Sequence, residues 1–242
     1  MRLRERIKNF LKKRVFVETW TCNACEKEIF NDKFVCDACA EKLEYIGSNS
    51  CAHCGRTLIK AQDYCTTCKG KLVSTTFGKS VYNYKDTASI LIQRFKYKGA
   101  KYMADYFAKE MSNIYFKHYY ATDYLAFVPA TKKVKNKRGY NQGELLAVSL
   151  SKIVGAPVFY GLEKVKHTER QAKLDKADRL KNLKGSFKVT DKKAIKGKSV
   201  TIIDDVTTTG STIEILAETM QKAGAKEIKY ITIASVPPKS GY

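Results

Sequence analysis

Two adjacent carboxylates, Asp204 and Asp205, are followed within seven residues by five hydroxyls and one glycine in the stretch VTIIDDVTTTGST, residues 200 to 212. The residues after the acids, Thr207 to Thr212, run directly into the amphipathic segment Ile213 to Ala223, the pattern of a loop feeding a helix N-terminus. Free backbone N–H groups, the positive end of the helix dipole and several hydroxyls make such a loop a cradle for one phosphate. Carboxylates repel a phosphate, so Asp204 and Asp205 suit a different ligand group. They can accept hydrogen bonds from sugar hydroxyls, or hold Mg2+ directly or through water. A phosphate pocket beside a diol pocket describes a phosphoribosyl group. The competing reading is an ordinary buried strand ending in a turn and a capped helix. The strand, acid pair, loop and helix occur together and in order, which favours the ligand site.

A second group of residues suits a metal. Cys22, Cys25, Cys36 and Cys39 recur as Cys51, Cys54, Cys65 and Cys68, each 29 residues after its counterpart. Each unit has two CxxC knuckles ten residues apart, and a knuckle presents two thiolates to a tetrahedral zinc. Four thiolates close the coordination sphere, so zinc in two such sites is structural. Units this short bury little apolar surface, and metal binding would supply most of their folding free energy. Redox-active CxxC is the weaker alternative, because four regularly spaced pairs suit metal better. The spacing leaves open whether knuckles pair within or across the repeats. His53, inside a knuckle, is a spare-ligand candidate or a solvated side chain.

The elements that must position these groups alternate. Val200 to Ile203 is apolar and β-branched on both parities, which predicts a strand buried on both faces of a parallel sheet with the acids at its carboxyl end. Strands are also expected at 81–84, 124–128 and 228–235, with a weak one at 157–160, and helices at 89–95, 102–115, 145–154 and 213–223. The fold class is therefore α/β with a mainly parallel sheet and flanking helices, preceded by a small cysteine-rich module. Residues 1–19 form a basic leader whose first 15 residues read as an amphipathic helix. That helix either lies on an anionic membrane or nucleic-acid backbone, or packs its apolar stripe on the neighbouring module. Residues 20–72 are assigned to the cysteine module and 73–242 to the α/β domain, with a Gly-, Ser-, Thr- and Lys-rich boundary near 70–80.

Two further segments are charged. The loop at 131–143, TKKVKNKRGYNQG, is the densest basic loop, and its RGYNQ end is a second phosphate-compatible helix start. The polar segment at 166–187 reads either as a mobile excursion over the site or as a solvated helix. Over all 242 residues, 45 Lys and Arg against 24 Asp and Glu give a formal charge of +21, which points to a polyanionic partner. No apolar run approaches the roughly 20 residues that span a bilayer, and no signal peptide follows the basic start, so a cytoplasmic location is expected.

Together FKYKG at 95–99, VPA at 128–130, RGYNQ at 138–142, the spaced Arg170-Gln171, Leu174, Arg179, Asn182 and Phe187, and VTIIDDVTTTGST resemble the ComF family, and the cysteine repeat is similar to that family's double zinc ribbon. The resemblance covers about residues 20 to 236. It implies a type I phosphoribosyltransferase-like fold behind zinc ribbons, a role in moving or protecting incoming single-stranded DNA during natural transformation, and a DNA-translocating helicase of the same uptake system as a partner. By matching position, Asp204 and Asp205 would bind ribose and Mg2+, and Thr208, Thr209, Gly210, Ser211 and Thr212 the 5-phosphate of phosphoribosyl pyrophosphate. Ala130, Thr131, Lys132, Lys133 and Arg138 would meet the pyrophosphate, and 166–182 would form a hood. Purine-salvage members carry a carboxylate where this chain has Thr208, which argues against hypoxanthine and guanine as acceptors.

Two functions of different class follow. One is a single-stranded DNA-binding protein, with the basic surface and the tyrosines Tyr82, Tyr84, Tyr97 and Tyr102 as stacking rings, unless those rings are core. The other is an active phosphoribosyltransferase with an unidentified acceptor.

Overall fold

The computed structural model describes residues 20–237 except 31, 70–73, 76, 119–120, 132, 133, 135, 137 and 166–182. The basic leader helix, the hood segment, Lys132 and Lys133 therefore lie outside the described residues, as do Arg170, Gln171, Leu174, Arg179 and Asn182.

Among the described residues, a four-stranded parallel sheet forms the centre of the larger part of the chain. Its strands are β3 (Phe77–Asn83), β4 (Tyr124–Phe127), β7 (Ser199–Thr207) and β8 (Glu227–Ser235), in the order β3-β8-β7-β4. Parallel neighbours need crossovers. These contain α2 (Asp86–Tyr97) and α3 (Met103–Lys117) between β3 and β4, α4 (Gln142–Val154) after β4, and α6 (Ser211–Lys222) between β7 and β8. A small antiparallel pair, β5 (Leu162–Lys164) with β6 (Phe187–Val189), and the short α5 (Lys192–Ile195) lie between α4 and β7.

Both faces of the sheet are covered, as the β-branched pattern predicts. Ile203 of β7 and Ile231 and Ile233 of β8 pack with α2, α3 and α4 residues such as Leu91, Phe107 and Leu146. The opposite parity, Val200, Ile202, Ile228 and Tyr230, packs with Leu216 and Met220 of α6 and with Phe187. Two expectations differ from the structure. β3 begins at Phe77, four residues before the expected strand and inside the polar boundary region, because pairing with β8 from Phe77↔Lys229 onward outweighs composition. Residues 157–160 make only an isolated parallel bridge, Leu125↔Val158, beside β4.

The cysteine units precede the sheet. The first holds β1 (Trp20–Thr21), paired antiparallel with β2 (Glu28–Ile29), and α1 (Asp37–Ala40). It packs on α2 and α3: Arg94 bonds Glu26 at 2.7 Å, Tyr102 donates to Asn23 at 2.6 Å, and Phe34 stacks on Tyr106 with centroids 3.8 Å apart. Among the described residues, no helix is long and apolar enough to cross a membrane.

Candidate functional site

The acid pair sits inside β7, not after it. Pairing with β8 continues through Asp204↔Thr232 to Thr207↔Ser235, so the strand carries both carboxylates to its end. Asp205 is buried, and its backbone N–H donates to Asp204 Oδ1 at 2.9 Å. Lys96, in the last turn of α2, places Nζ 2.8 Å from Asp205 Oδ1, with 18% and 12% of the two side chains exposed. Burial and the neighbouring Asp205 charge push the Asp204 carboxyl up to about 7. Burial alone would lower the Lys96 ammonium, but the charges of Asp205 and Asp204 outweigh it and hold Lys96 above its usual value.

Beyond Thr207 the chain makes the expected loop. Gly210 stands at φ 76°, a left-handed conformation that glycine adopts without the penalty of a Cβ, and it forms the N-cap of α6 with no side-chain cap. Thr209 Oγ1 and Ser211 Oγ lie 2.8 Å apart, and Ser211 N donates to Thr209 Oγ1 at 3.4 Å. Asp204, Thr207, Thr208, Thr209, Gly210, Ser211 and Thr212 line one small concavity at this helix start. Carboxylate oxygens at one end and backbone N–H groups with hydroxyls at the other fit Mg2+ or ribose and a phosphate, respectively.

The basic loop after β4 divides. Arg138 donates to Gln142 Oε1 at 3.0 Å and to Tyr97 Oη at 3.3 Å, and its guanidinium lies 4.9 Å over the Tyr97 ring. Thr131 Oγ1 accepts from Val134 N at 3.4 Å, and Ala130 is half-buried. The second expected helix start is closed by its own residue, since Asn141 Oδ1 caps Gly143 N at 3.0 Å. Tyr140 donates to Phe95 O, and Gln142 Nε2 to Lys96 O at 3.3 Å. RGYNQ therefore holds the segment that presents Lys96.

Two site-shaping residues have partners that nothing in their local sequence announces. Lys96 lies in FKYKG, and its acid is 109 positions away. Arg56, in the second cysteine unit, donates from its guanidinium to Thr208 O across 152 positions. No short-range pattern links either pair.

The cysteines settle into two groups, Cys22, Cys25, Cys36 and Cys39, and Cys51, Cys54, Cys65 and Cys68, with the sulfurs of each within 4.8 Å of one another. The knuckles thus pair within repeats. Cys25 and Cys36 sulfurs are 3.7 Å apart, as are Cys54 and Cys65, close to the roughly 3.8 Å separation implied by tetrahedral bonds of about 2.3 Å. Backbone N–H groups of Ala24 and Cys36 point to Cys22 Sγ, and that of Cys65 to Cys51 Sγ, which favours thiolate. Both groups are consistent with structural zinc. His53 is in neither; its ring nitrogen lies 3.0 Å from Thr75 Oγ1.

Comparison with known proteins agrees with this layout. Residues 15–69 match the model of the double zinc ribbon domain, and 141–240 that of the phosphoribosyl transferase domain. The chain is 32% identical to Competence protein F of Haemophilus influenzae over 74% of this chain and 81% of that one. It is 28% identical to Competence protein ComFC of Bacillus subtilis over 76% of each, and 26% identical to the DNA utilization protein YhgH of Salmonella typhimurium over 74% of this chain and 81% of that one. A cysteine-rich zinc-ribbon module ahead of a type I phosphoribosyltransferase-like α/β fold, with that degree of identity across most of its length, places the chain in the ComF family of competence proteins.

Proposed function

We propose that the chain binds phosphoribosyl pyrophosphate with Mg2+ and acts in the cytoplasm on single-stranded DNA during or after its uptake. The observation that carries the pocket is the juxtaposition of Asp204, with Asp205 next to it in the same strand, and the start of α6, whose N-cap Gly210 supplies no capping side chain. In this reading Asp204 and Asp205 hold the ribose hydroxyls and the Mg2+. Thr208, Thr209, Gly210, Ser211 and Thr212 surround the 5-phosphate, and Ala130, Thr131, Lys132, Lys133 and Arg138 face the pyrophosphate. Bound Mg2+ would supply charge neutralisation for the pyrophosphate. Lys96 balances the acid pair until a ligand or metal does so, which keeps two neighbouring carboxylates in a buried position.

The DNA part rests on other features. Relatives are named for competence and DNA utilization. The net charge of +21 favours a polyanion. Of the four tyrosines, Tyr82 is core, but Tyr97 and Tyr102 are 65% and 61% exposed, and Tyr97 adjoins Arg138. An exposed ring beside a cation suits a stacked base. A DNA-translocating helicase is the partner that the family relation suggests.

A second reading is favoured by the intact acid pair and phosphate loop: a working phosphoribosyltransferase. The chain's residues would then orient C1 toward a nitrogen nucleophile and neutralise the departing pyrophosphate. Thr208 carries no carboxylate to take a proton from the acceptor, so the acceptor must be nucleophilic without that help. Titration with Mg2+ and phosphoribosyl pyrophosphate tests the pocket, and oligonucleotide binding across a salt series tests the DNA role. Pyrophosphate release in an acceptor screen separates the second reading from simple binding.

A further inference from the structure

The two cysteine units repeat in sequence but not in what they touch. The first packs on α2 and α3, whereas the second sits against β3, β8 and the loop after β7. Gly78 N donates to His53 O at 2.7 Å, and Tyr230 Oη to Cys54 O at 3.2 Å. Glu26 and Gly55 occupy the same place in the repeat, and both have φ 65°. A Cβ on Gly55 would meet Gly78 O at 2.6 Å and Lys79 Cα at 2.7 Å, so only the second unit needs glycine there. Backbone contact at this point is built into the sequence.

The next residue is the informative one. In the first unit it is Lys27, which is exposed; in the second it is Arg56, whose guanidinium donates to Thr208 O in the phosphate loop. Arg56 belongs to the turn that closes around the metal-ligand group, because Cys51 N donates to Arg56 O at 2.8 Å and Gly55 N to Cys51 O at 2.8 Å. Its Nε is buried and has no hydrogen-bond partner among the described residues, leaving a cationic donor beside a loop shaped for an anion. Thr208 lies between the end of β7 and the left-handed Gly210, so fixing its carbonyl restricts the loop whose N–H groups would grip phosphate.

We propose that Arg56 couples the second zinc site to the phosphate loop. Metal held by Cys51, Cys54, Cys65 and Cys68 fixes the turn from which Arg56 grips Thr208, and zinc occupancy and phosphoribosyl pyrophosphate affinity are thereby linked. This rests on the phosphoribosyl reading of the pocket. Linkage of this kind is reciprocal, which makes it measurable from either site.

The test compares the full-length, zinc-loaded protein with Arg56→Ala and Arg56→Gln. Hydrogen exchange is followed in peptides covering 207–212, together with zinc content, affinity for phosphoribosyl pyrophosphate with Mg2+, and the rate of zinc transfer to a chelating dye. Arg56→Ala is expected to keep its zinc, exchange faster in the loop, and bind phosphoribosyl pyrophosphate about tenfold more weakly, the scale of one charge-assisted hydrogen bond. The ligand should slow zinc transfer from the wild type and not from Arg56→Ala, with Arg56→Gln between them. A purely structural arginine would not produce that loss of cross-protection. Unchanged loop exchange with intact cross-protection in Arg56→Ala would overturn the coupling. If the wild type takes up no phosphoribosyl pyrophosphate, the linkage falls with the pocket reading, while loop exchange in Arg56→Ala still decides whether Arg56 tethers the loop.

Discussion

Lys96 Nζ lies 2.8 Å from Asp205 Oδ1, joining the last turn of α2 to the carboxyl end of β7. Asp204 stands beside them, so one ammonium serves two neighbouring carboxylates. Removing it leaves charge buried without compensation. Lys96→Met is expected to destabilise the protein by about 3 kcal/mol, the cost of breaking a largely buried pair. Adding Asp205→Asn should recover much of that loss. Denaturant midpoints for the two single variants and the double variant check the coupling; strictly additive losses would contradict it.

The raised Asp204 gives the ligand-free protein a pH dependence of definite sign. Its folded carboxyl titrates at about 7 against an ordinary aspartate value of 3.8. Between those values the folded state holds a proton that the unfolded state has released. The associated stability is fully present below the lower value and is lost as pH rises through about 7. Asp204→Asn removes this loss, so the variant should melt higher than wild type at pH 8 and approach it near pH 4, while losing ligand affinity. The informative quantity is the difference between the two melting profiles. A difference that does not grow with pH would contradict the assignment.

How far the site can be read from the sequence depends on how local its parts are. The acids, the hydroxyl-rich loop and the start of α6 are consecutive, so turn and capping chemistry reveals them. The true length of β7 is less visible, because Asp204 to Thr207 lacks an apolar pattern and is held in the strand by its ladder to β8. Spacing alone also leaves the cysteine pairing undecided, since knuckles ten residues apart allow closure within or across units. Lys96–Asp205 and Arg56–Thr208 are tertiary contacts, and only the folded chain brings them together.

The exposed ring at Tyr97 and the cation above it carry separate expectations for DNA. Tyr97→Ala should weaken binding to a short single-stranded oligonucleotide by about 1 to 3 kcal/mol through lost stacking. Arg138→Ala should instead lower the slope of log affinity against log salt by about 0.7, the share of one phosphate contact on a single strand. Fluorescence anisotropy across a salt series measures both. Wild-type behaviour in both variants would remove this surface from the DNA path.

Calorimetric titration of the zinc-loaded protein with phosphoribosyl pyrophosphate and Mg2+ tests the phosphoribosyl pocket at the end of β7 most directly. Saturable binding is predicted for the wild type, with loss in the Asp204→Asn, Asp205→Asn double variant while that variant remains folded and keeps its zinc. Absence of binding to the wild type, or equal binding to the double variant, would contradict the account.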